Sequence, residues 1–421
     1  MNQPATTALV LSGGGARAAY QVGVLQAITA MRRQHQHSRG DPANPFGVIV
    51  GTSAGAINGA ALACHADQYD AGVDQLAEVW SQFSAEQVYR SDALGVARSG
   101  ARWLSMMSLG WALARFRPRS LLDNTPLGGL LSRLVPMSRL PSMLARGHLQ
   151  ALAVTASSYS SGEHVSFYQA ARPIAPWLRS SRLAVPTMLT QEHLLASSAI
   201  PFIFPATRLH HDGLGAWYGD GSMRQTAPLS PAIHLGARRL LIIGAGRMHE
   251  PALQRESSSA YPSLAQVAGH ALSGIFLDAL AVDIERMERI NRTLALLPPE
   301  ALAETPLRPL DALVIAPSQR LDDIAARHLE SLPRAVRTLL RGTGVGKTAP
   351  GGPRPQGAAL ASYLLFEAPY TRELMALGQA DTWAQGHKVA RFFGWQTLEK
   401  AAPQPREGAR PVDSELKPWP A

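Results

Sequence analysis

The order of residues predicts an α/β protein: a mostly parallel central sheet between two layers of helices, with a helical extension at the C-terminal end. Two observations carry this. Apolar, β-branched runs alternate with stretches that hold apolar residues at helical spacing, the pattern of a doubly wound sheet. The first two such junctions, Ser12-Gly13-Gly14-Gly15-Ala16-Arg17 and Gly51-Thr52-Ser53-Ala54-Gly55, are glycine turns set directly between strand and helix.

The elements follow in order. Ala8-Leu9-Val10-Leu11 reads as a strand, and the helix after its glycines starts near Ala18. Phe46-Gly47-Val48-Ile49-Val50 is the second strand, and Ala56 to Ala63 the small-residue helix behind Ser53. Residues 66–95 look helical, with Leu76, Val79, Trp80 and Phe83 on one face. Residues 98–119 set Trp103, Met106, Met107 and Trp111 inside a frame of arginines, which suits an interfacial helix or a lid over an acyl pocket as well as a buried helix. The stretch at 121–127 opens another helix with Asp123 or Asn124 as its cap. A hairpin is expected over 149–168, a helix over 193–198, buried strands at 239–244 and 312–317, and a long helix over 264–297. Residues 318–345 read as helical, 361–376 and 381–393 as two packing helices. The expected organisation is one domain over 7–320, a helical extension over 321–400 with a Gly/Pro-rich loop at 341–357, and a disordered tail over 401–421.

The chemistry lies in the turns. Gly51-x-Ser53-x-Gly55 between a strand and a helix is a nucleophile elbow: glycine on either side lets the turn close, and the helix aims its positive end at developing charge. The run Gly13-Gly14-Gly15 presents several backbone N–H groups in one concavity, a nest for an anion or a transient oxyanion, with Arg17 adding charge nearby. Far downstream, Tyr218-Gly219-Asp220-Gly221 holds a carboxylate on an open turn, where it can serve as a general base.

These three motifs, in this order, resemble the patatin-like phospholipase family. So do Ala196-Ser197-Ser198-Ala199-Ile200-Pro201 before the Asp-Gly pair and Thr226-Ala227-Pro228-Leu229 after it. The resemblance covers roughly residues 7–320. It implies a three-layer fold of that type, Ser53 as nucleophile, Asp220 as proton acceptor, and Gly13, Gly14 and Gly15 with Arg17 as the oxyanion hole. Two positions depart from the pattern: Ala18 and Ser222 stand where the family often has smaller or other small residues. By resemblance the substrate is a phospholipid, a lysophospholipid or another lipid acyl ester, and no cofactor is needed.

Composition bounds the alternatives. The single cysteine, Cys64, cannot form an internal disulfide. No basic leader opens the sequence and no uninterrupted stretch of about 18 apolar residues occurs, so a cytoplasmic protein is expected, with peripheral contact at the inner membrane face left open. The net charge of +9 suits anionic partners, but no helix-turn-helix, zinc or RNP signature points to nucleic acid. His210, His211 and Asp212 hint at a metal, yet strand neighbours point to opposite faces. Gly342 to Thr348 imitates a phosphate loop but lacks its first glycine and is followed by Pro350 and Pro353. Three rivals to the hydrolase stay open: a triad enzyme using His210, His211, His234, His249 or His270, a lipid or nucleotide sensor, and an acyltransferase with the same acyl-enzyme.

Overall fold

The computed structural model describes residues 6–36, 44–92, 95, 120–211, 213–248, 261–346 and 357–395. The arginine-framed segment at 98–119, most of the Gly/Pro-rich loop, Asp212, His249 and the tail at 401–421 lie outside them.

Five apolar strands form the heart of the sheet: β1 (Thr7–Leu11), β2 (Val48–Thr52), β3 (Ala151–Ser158), β9 (Arg239–Ile243) and β10 (Asp311–Ile315). All pair in parallel, in the order β10-β9-β1-β2-β3. Parallel strands covered on both sides need apolar residues at nearly every position, which is why these runs do not alternate with polar residues. Leu9 and Leu11 of β1 enter one core and Ala8 and Val10 the other. Beyond β3 the pairing turns antiparallel to β4 (His164–Ala170), then continues with β6 (Arg182–Pro186) and the short β5 (Leu178–Arg179). A hairpin of β7 (Thr207–His211) and β8 (Leu214–Asp220) branches from the C-terminal end of β3.

On one face lie α1 (Ala19–Gln36), α2 (Ala54–Cys64) and α3 (Tyr69–Ser81). The other face is covered by the short Ser230–His234 helix and by the Ala279–Leu294 helix. The result is the α/β/α layering read from the sequence.

The C-terminal helices belong to the first core. The Ala368–Ala384 helix crosses α1 so closely that a β-carbon on Gly23 would lie 2.0 Å from the Met375 carbonyl oxygen, and one on Gly378 2.3 Å from that of Tyr20. The two helices therefore touch backbone to backbone, a contact only glycine permits. Tyr20 adds a buried hydrogen bond, its hydroxyl donating to Asp381 at 2.9 Å.

Some boundaries differ from the sequence reading. The expected helices at 361–376 and 381–393 are instead Ala358–Leu364, Ala368–Ala384 and Gly386–Phe393. Pro369 accounts for the shift, because a proline starts a helix readily and cannot sit inside one. Pro333 likewise divides 318–345 into Leu321–Arg327 and Arg334–Gly342. The helix at Thr125 starts as expected, but its amide is held by Asp123, at 2.9 Å, and Asn124 makes no side-chain cap. The long C-terminal helix of the domain runs from Leu264 to Leu294 with a π-turn at Gly274–Asp278. Among the described residues this one helix is long and apolar enough to cross a membrane by length and composition, although Gln266, His270 and Asp278 interrupt its sequence; 33% of its apolar window is buried.

Candidate active site

Strand register brings the separated motifs together. Thr52 of β2 pairs with Thr155 of β3, and the next residue of β3, Ala156, pairs with Asp220 at the end of β8. Ser53, one residue past Thr52, and Asp220 thus meet at the same end of the sheet.

Ser53 sits at φ 56° and ψ −131°, a backbone conformation costly for a residue with a side chain. Its carbonyl accepts from the Ala56 amide at 2.9 Å, starting α2, and its amide donates to the Ser197 hydroxyl at 2.8 Å. Both flanking glycines are required by space. A β-carbon on Gly51 would lie 2.4 Å from the Ala56 Cα, and one on Gly55 2.5 Å from the Ser12 carbonyl oxygen. The obstacles are backbone and cannot swing away. Gly55→Ala should therefore lower stability by about 1–3 kcal/mol or more, read as a fall in Tm, with loss of any activity that depends on Ser53.

The glycine loop runs alongside. A β-carbon on Gly13 would lie 3.1 Å from the Ser53 Cβ and 2.4 Å from the Ser222 hydroxyl oxygen. Gly15 adopts φ 56°, and its missing side chain would strike the Tyr363 carbonyl at 2.3 Å. Residues Gly15–Ala18 then form a 3₁₀ turn into α1. Gly13 is thus next to Ser53, and Gly15 lines the same cavity as Ser53. The Arg17 side chain faces away, into the C-terminal helices: it ion-pairs with Asp322, donates to Ser362 at 2.8 Å, and stacks 4.0 Å over the Tyr363 ring.

Asp220 is completely buried. Its Oδ1 accepts from the Ser222 amide at 2.9 Å, and its own amide donates to the Ala199 carbonyl at 3.0 Å. Burial dominates its chemistry and pushes the carboxyl up to about 6; the Ser53 hydroxyl and the Ser222 amide and hydroxyl pull the other way by favouring the charged form. Asp220 Oδ2 and Ser222 Oγ nonetheless lack partners of good hydrogen-bond geometry. Gly221 is fixed by space too, since a β-carbon there would lie 2.4 Å from the Thr155 carbonyl oxygen. Thr155, Thr52 and Gln225 form a buried polar patch beneath the pair, with 2.8 Å between the threonine hydroxyls and 3.0 Å from Gln225 Nε2 to Thr52.

Beside Ser53 opens an apolar cavity holding about 480 Å³ of empty space, part of it open to solvent. Trp80 and Phe83, Leu127, Leu130 and Leu134, and Phe366 form much of its wall. Apart from Ser53 and Ser198 the lining is apolar, which suits an apolar ligand better than a polar one.

A family model for patatin-like phospholipases matches residues 9–233, more than half of the chain and all three motifs. The chain belongs to the patatin-like phospholipase family. Its coarse class is accordingly a lipid hydrolase. Among solved structures it is similar to VipD from Legionella pneumophila, at 12% identity and a TM-score of 0.28, over 89% of this chain and 67% of that one. It is also similar to human GIVD cytosolic phospholipase A2, solved with methyl gamma-linolenyl fluorophosphonate, at 14% identity and a TM-score of 0.39. That alignment covers 93% of this chain and 59% of the human one, so the chain spans less than two thirds of that enzyme's length. Full-length ExoU from the type III secretion system of Pseudomonas aeruginosa, solved with SpcU, gives 14% identity and a TM-score of 0.24, over 86% of this chain and 77% of ExoU. No curated protein gives a significant match.

Within this patatin-like domain Ser53, Asp220 and Gly13, all foreseen from sequence, come together, and Gly15 lines the cavity beside Ser53. Among the described residues, the groups acting on the Asp220 carboxyl are the Ser53 and Ser222 hydroxyls and the Ser222 amide, with no histidine among them. Sequence reasoning missed Ser197, whose hydroxyl takes the Ser53 amide, and Phe366 in the cavity wall. Ser197 stood within the motif-bearing stretch and was legible as a conspicuous Ser-Ser pair. Phe366 carried no signal.

Proposed function

We propose that the chain is a serine lipid acyl hydrolase of phospholipase A or lysophospholipase type, working through a Ser53–Asp220 dyad. Asp220, ionised, accepts the Ser53 proton as Ser53 Oγ attacks the ester carbonyl. The carbonyl π-electrons move onto oxygen, which the amides of the Gly13–Gly15 loop and the N-terminus of α2 stabilise. The intermediate collapses, the ester C–O bond breaks, and the leaving alcohol takes the proton from Asp220. Water then attacks the acyl-enzyme, Asp220 accepts its proton and returns it to Ser53 Oγ, and the fatty acid departs.

The observation that carries this reading is the strand register, which sets Ser53 and the fully buried Asp220 at the same end of the sheet with Gly13 packed against both Ser53 and Ser222; burial raises the Asp220 pKa to about 6. A base is most useful when its pKa lies near the working pH, and burial supplies that here. The apolar cavity supplies the place for the acyl chain, and family membership the ester class.

Incubation with mixed micelles of detergent and diacyl or lysophospholipid tests it. Release of fatty acid by the wild type, absent in Ser53→Ala, is the expected result. A folded wild type that releases none from either lipid or from soluble acyl esters would overturn it in favour of a lipid-sensing role.

A further inference from the structure

The Arg17 guanidinium is buried against one region of the chain. Nε donates to Ser362 Oγ at 2.8 Å, Nη2 ion-pairs with Asp322 and reaches the Ala359 carbonyl at 3.4 Å, and Cζ lies 4.0 Å over the Tyr363 ring. These partners sit on the Leu321–Arg327 and Ala358–Leu364 helices, both outside the segment that defines the family. The same region touches the loop backbone. The Tyr363 carbonyl blocks the place of a Gly15 side chain, and the Tyr363 ring stacks 5.0 Å from Phe276, which blocks that of Gly13. Gly13 is therefore packed against Ser53, Ser222 and Phe276, and Gly15 against the Tyr363 carbonyl.

We propose that Arg17 is a positioning residue: through Asp322 and Ser362 the C-terminal helices anchor the first turn after the glycine loop and so fix where the Gly13–Gly15 amides point. This rests on the dyad reading above. Two arguments favour anchoring over direct charge stabilisation. The guanidinium finds its partners on the C-terminal helices rather than at Ser53, and the paired Asp322 carboxylate opposes its field at the loop. A planar guanidinium that donates to three partners and stacks on a fourth is a geometric device, for which a lysine would not substitute.

The two roles predict opposite signs for one substitution. Asp322→Asn removes the countercharge and leaves the Arg17 charge uncompensated. Under the anchoring role kcat falls by about 10- to 100-fold at nearly unchanged KM, Asp322→Glu recovers much of the loss, and Ser362→Ala shows a smaller loss of the same kind. Unchanged or increased kcat in Asp322→Asn would overturn the proposal. Hydrogen exchange at the Gly13, Gly14 and Gly15 amides supplies a readout independent of catalysis. Faster exchange there in Asp322→Asn or, should that variant fold poorly, in Ser362→Ala is expected, and unchanged exchange contradicts anchoring. If wild type shows no Ser53-dependent activity, the dyad reading fails while the exchange result still decides the anchor.

Discussion

Asp220→Asn should lower ester cleavage by on the order of 10³-fold or more and, at the same time, raise the stability of the fold. Ser53→Ala should lower cleavage at least as far, with little change in stability, because a dyad whose members act as a unit loses most of its effect when either is removed. The stability gain follows from linkage. Burial raises the Asp220 pKa from its ordinary value of 3.8 to about 6. Between those values the native state binds more protons than the unfolded chain, so stability falls as pH rises through that window and the cost persists above it. A shift of about two units corresponds to about 3 kcal/mol at neutral pH, as an order of magnitude. Asparagine keeps the acceptor for the Ser222 amide and removes the buried charge. Thermal unfolding of wild type and Asp220→Asn at about pH 7.5 and at about pH 3, above and below the window, reads this directly. A gain at the higher pH that shrinks at the lower is expected; a loss at both would contradict the account. Activity should follow the same group in the other direction, rising with pH through about 6 as the carboxylate forms.

Phe366→Ala should change which esters are cleaved and cost stability. Phe366 is nearly buried and packs against Phe83 at 5.7 Å, Tyr89 at 6.3 Å and Trp80 at 6.4 Å between ring centres. Its segment is fastened on both sides. The Tyr89 hydroxyl donates to the Leu364 carbonyl at 2.9 Å, the Ala85 amide to the Glu367 carboxylate at 3.2 Å, and the Thr371 hydroxyl to the Trp80 carbonyl at 2.7 Å. So pinned, the segment cannot collapse into the space a smaller side chain leaves, and truncation should cost about 3–5 kcal/mol. The enlarged cavity should raise kcat/KM for palmitoyl over butanoyl esters of p-nitrophenol, relative to wild type. An unchanged ratio in a folded variant would place the acyl chain elsewhere.

The proposed dyad and its loop are legible in the sequence because each needs glycine where a side chain has no room. Gly13, Gly51, Gly55 and Gly221 all abut backbone or catalytic atoms, and such positions stand out as motifs. The central strands were equally plain, since burial on both faces leaves unbroken apolar runs. The Trp80, Phe83 and Phe366 wall was not. An apolar side chain lining a cavity and one filling a core look alike, and Phe366 arrives from 313 residues beyond Ser53 by way of helix packing that no local pattern records. Arg17 shows the same limit. Its place beside the glycines suggested charge for an oxyanion, whereas its direction is set by Asp322, Ser362 and Tyr363 on helices at the far end of the chain.

The most direct test of the central claim is mass spectrometry of the chain after exposure to an alkyl fluorophosphonate. The dyad predicts one covalent adduct on Ser53 in the wild type, and a much slower adduct on the same residue in Asp220→Asn. An adduct on another residue, or labelling of Ser53 at an undiminished rate without Asp220, would contradict it.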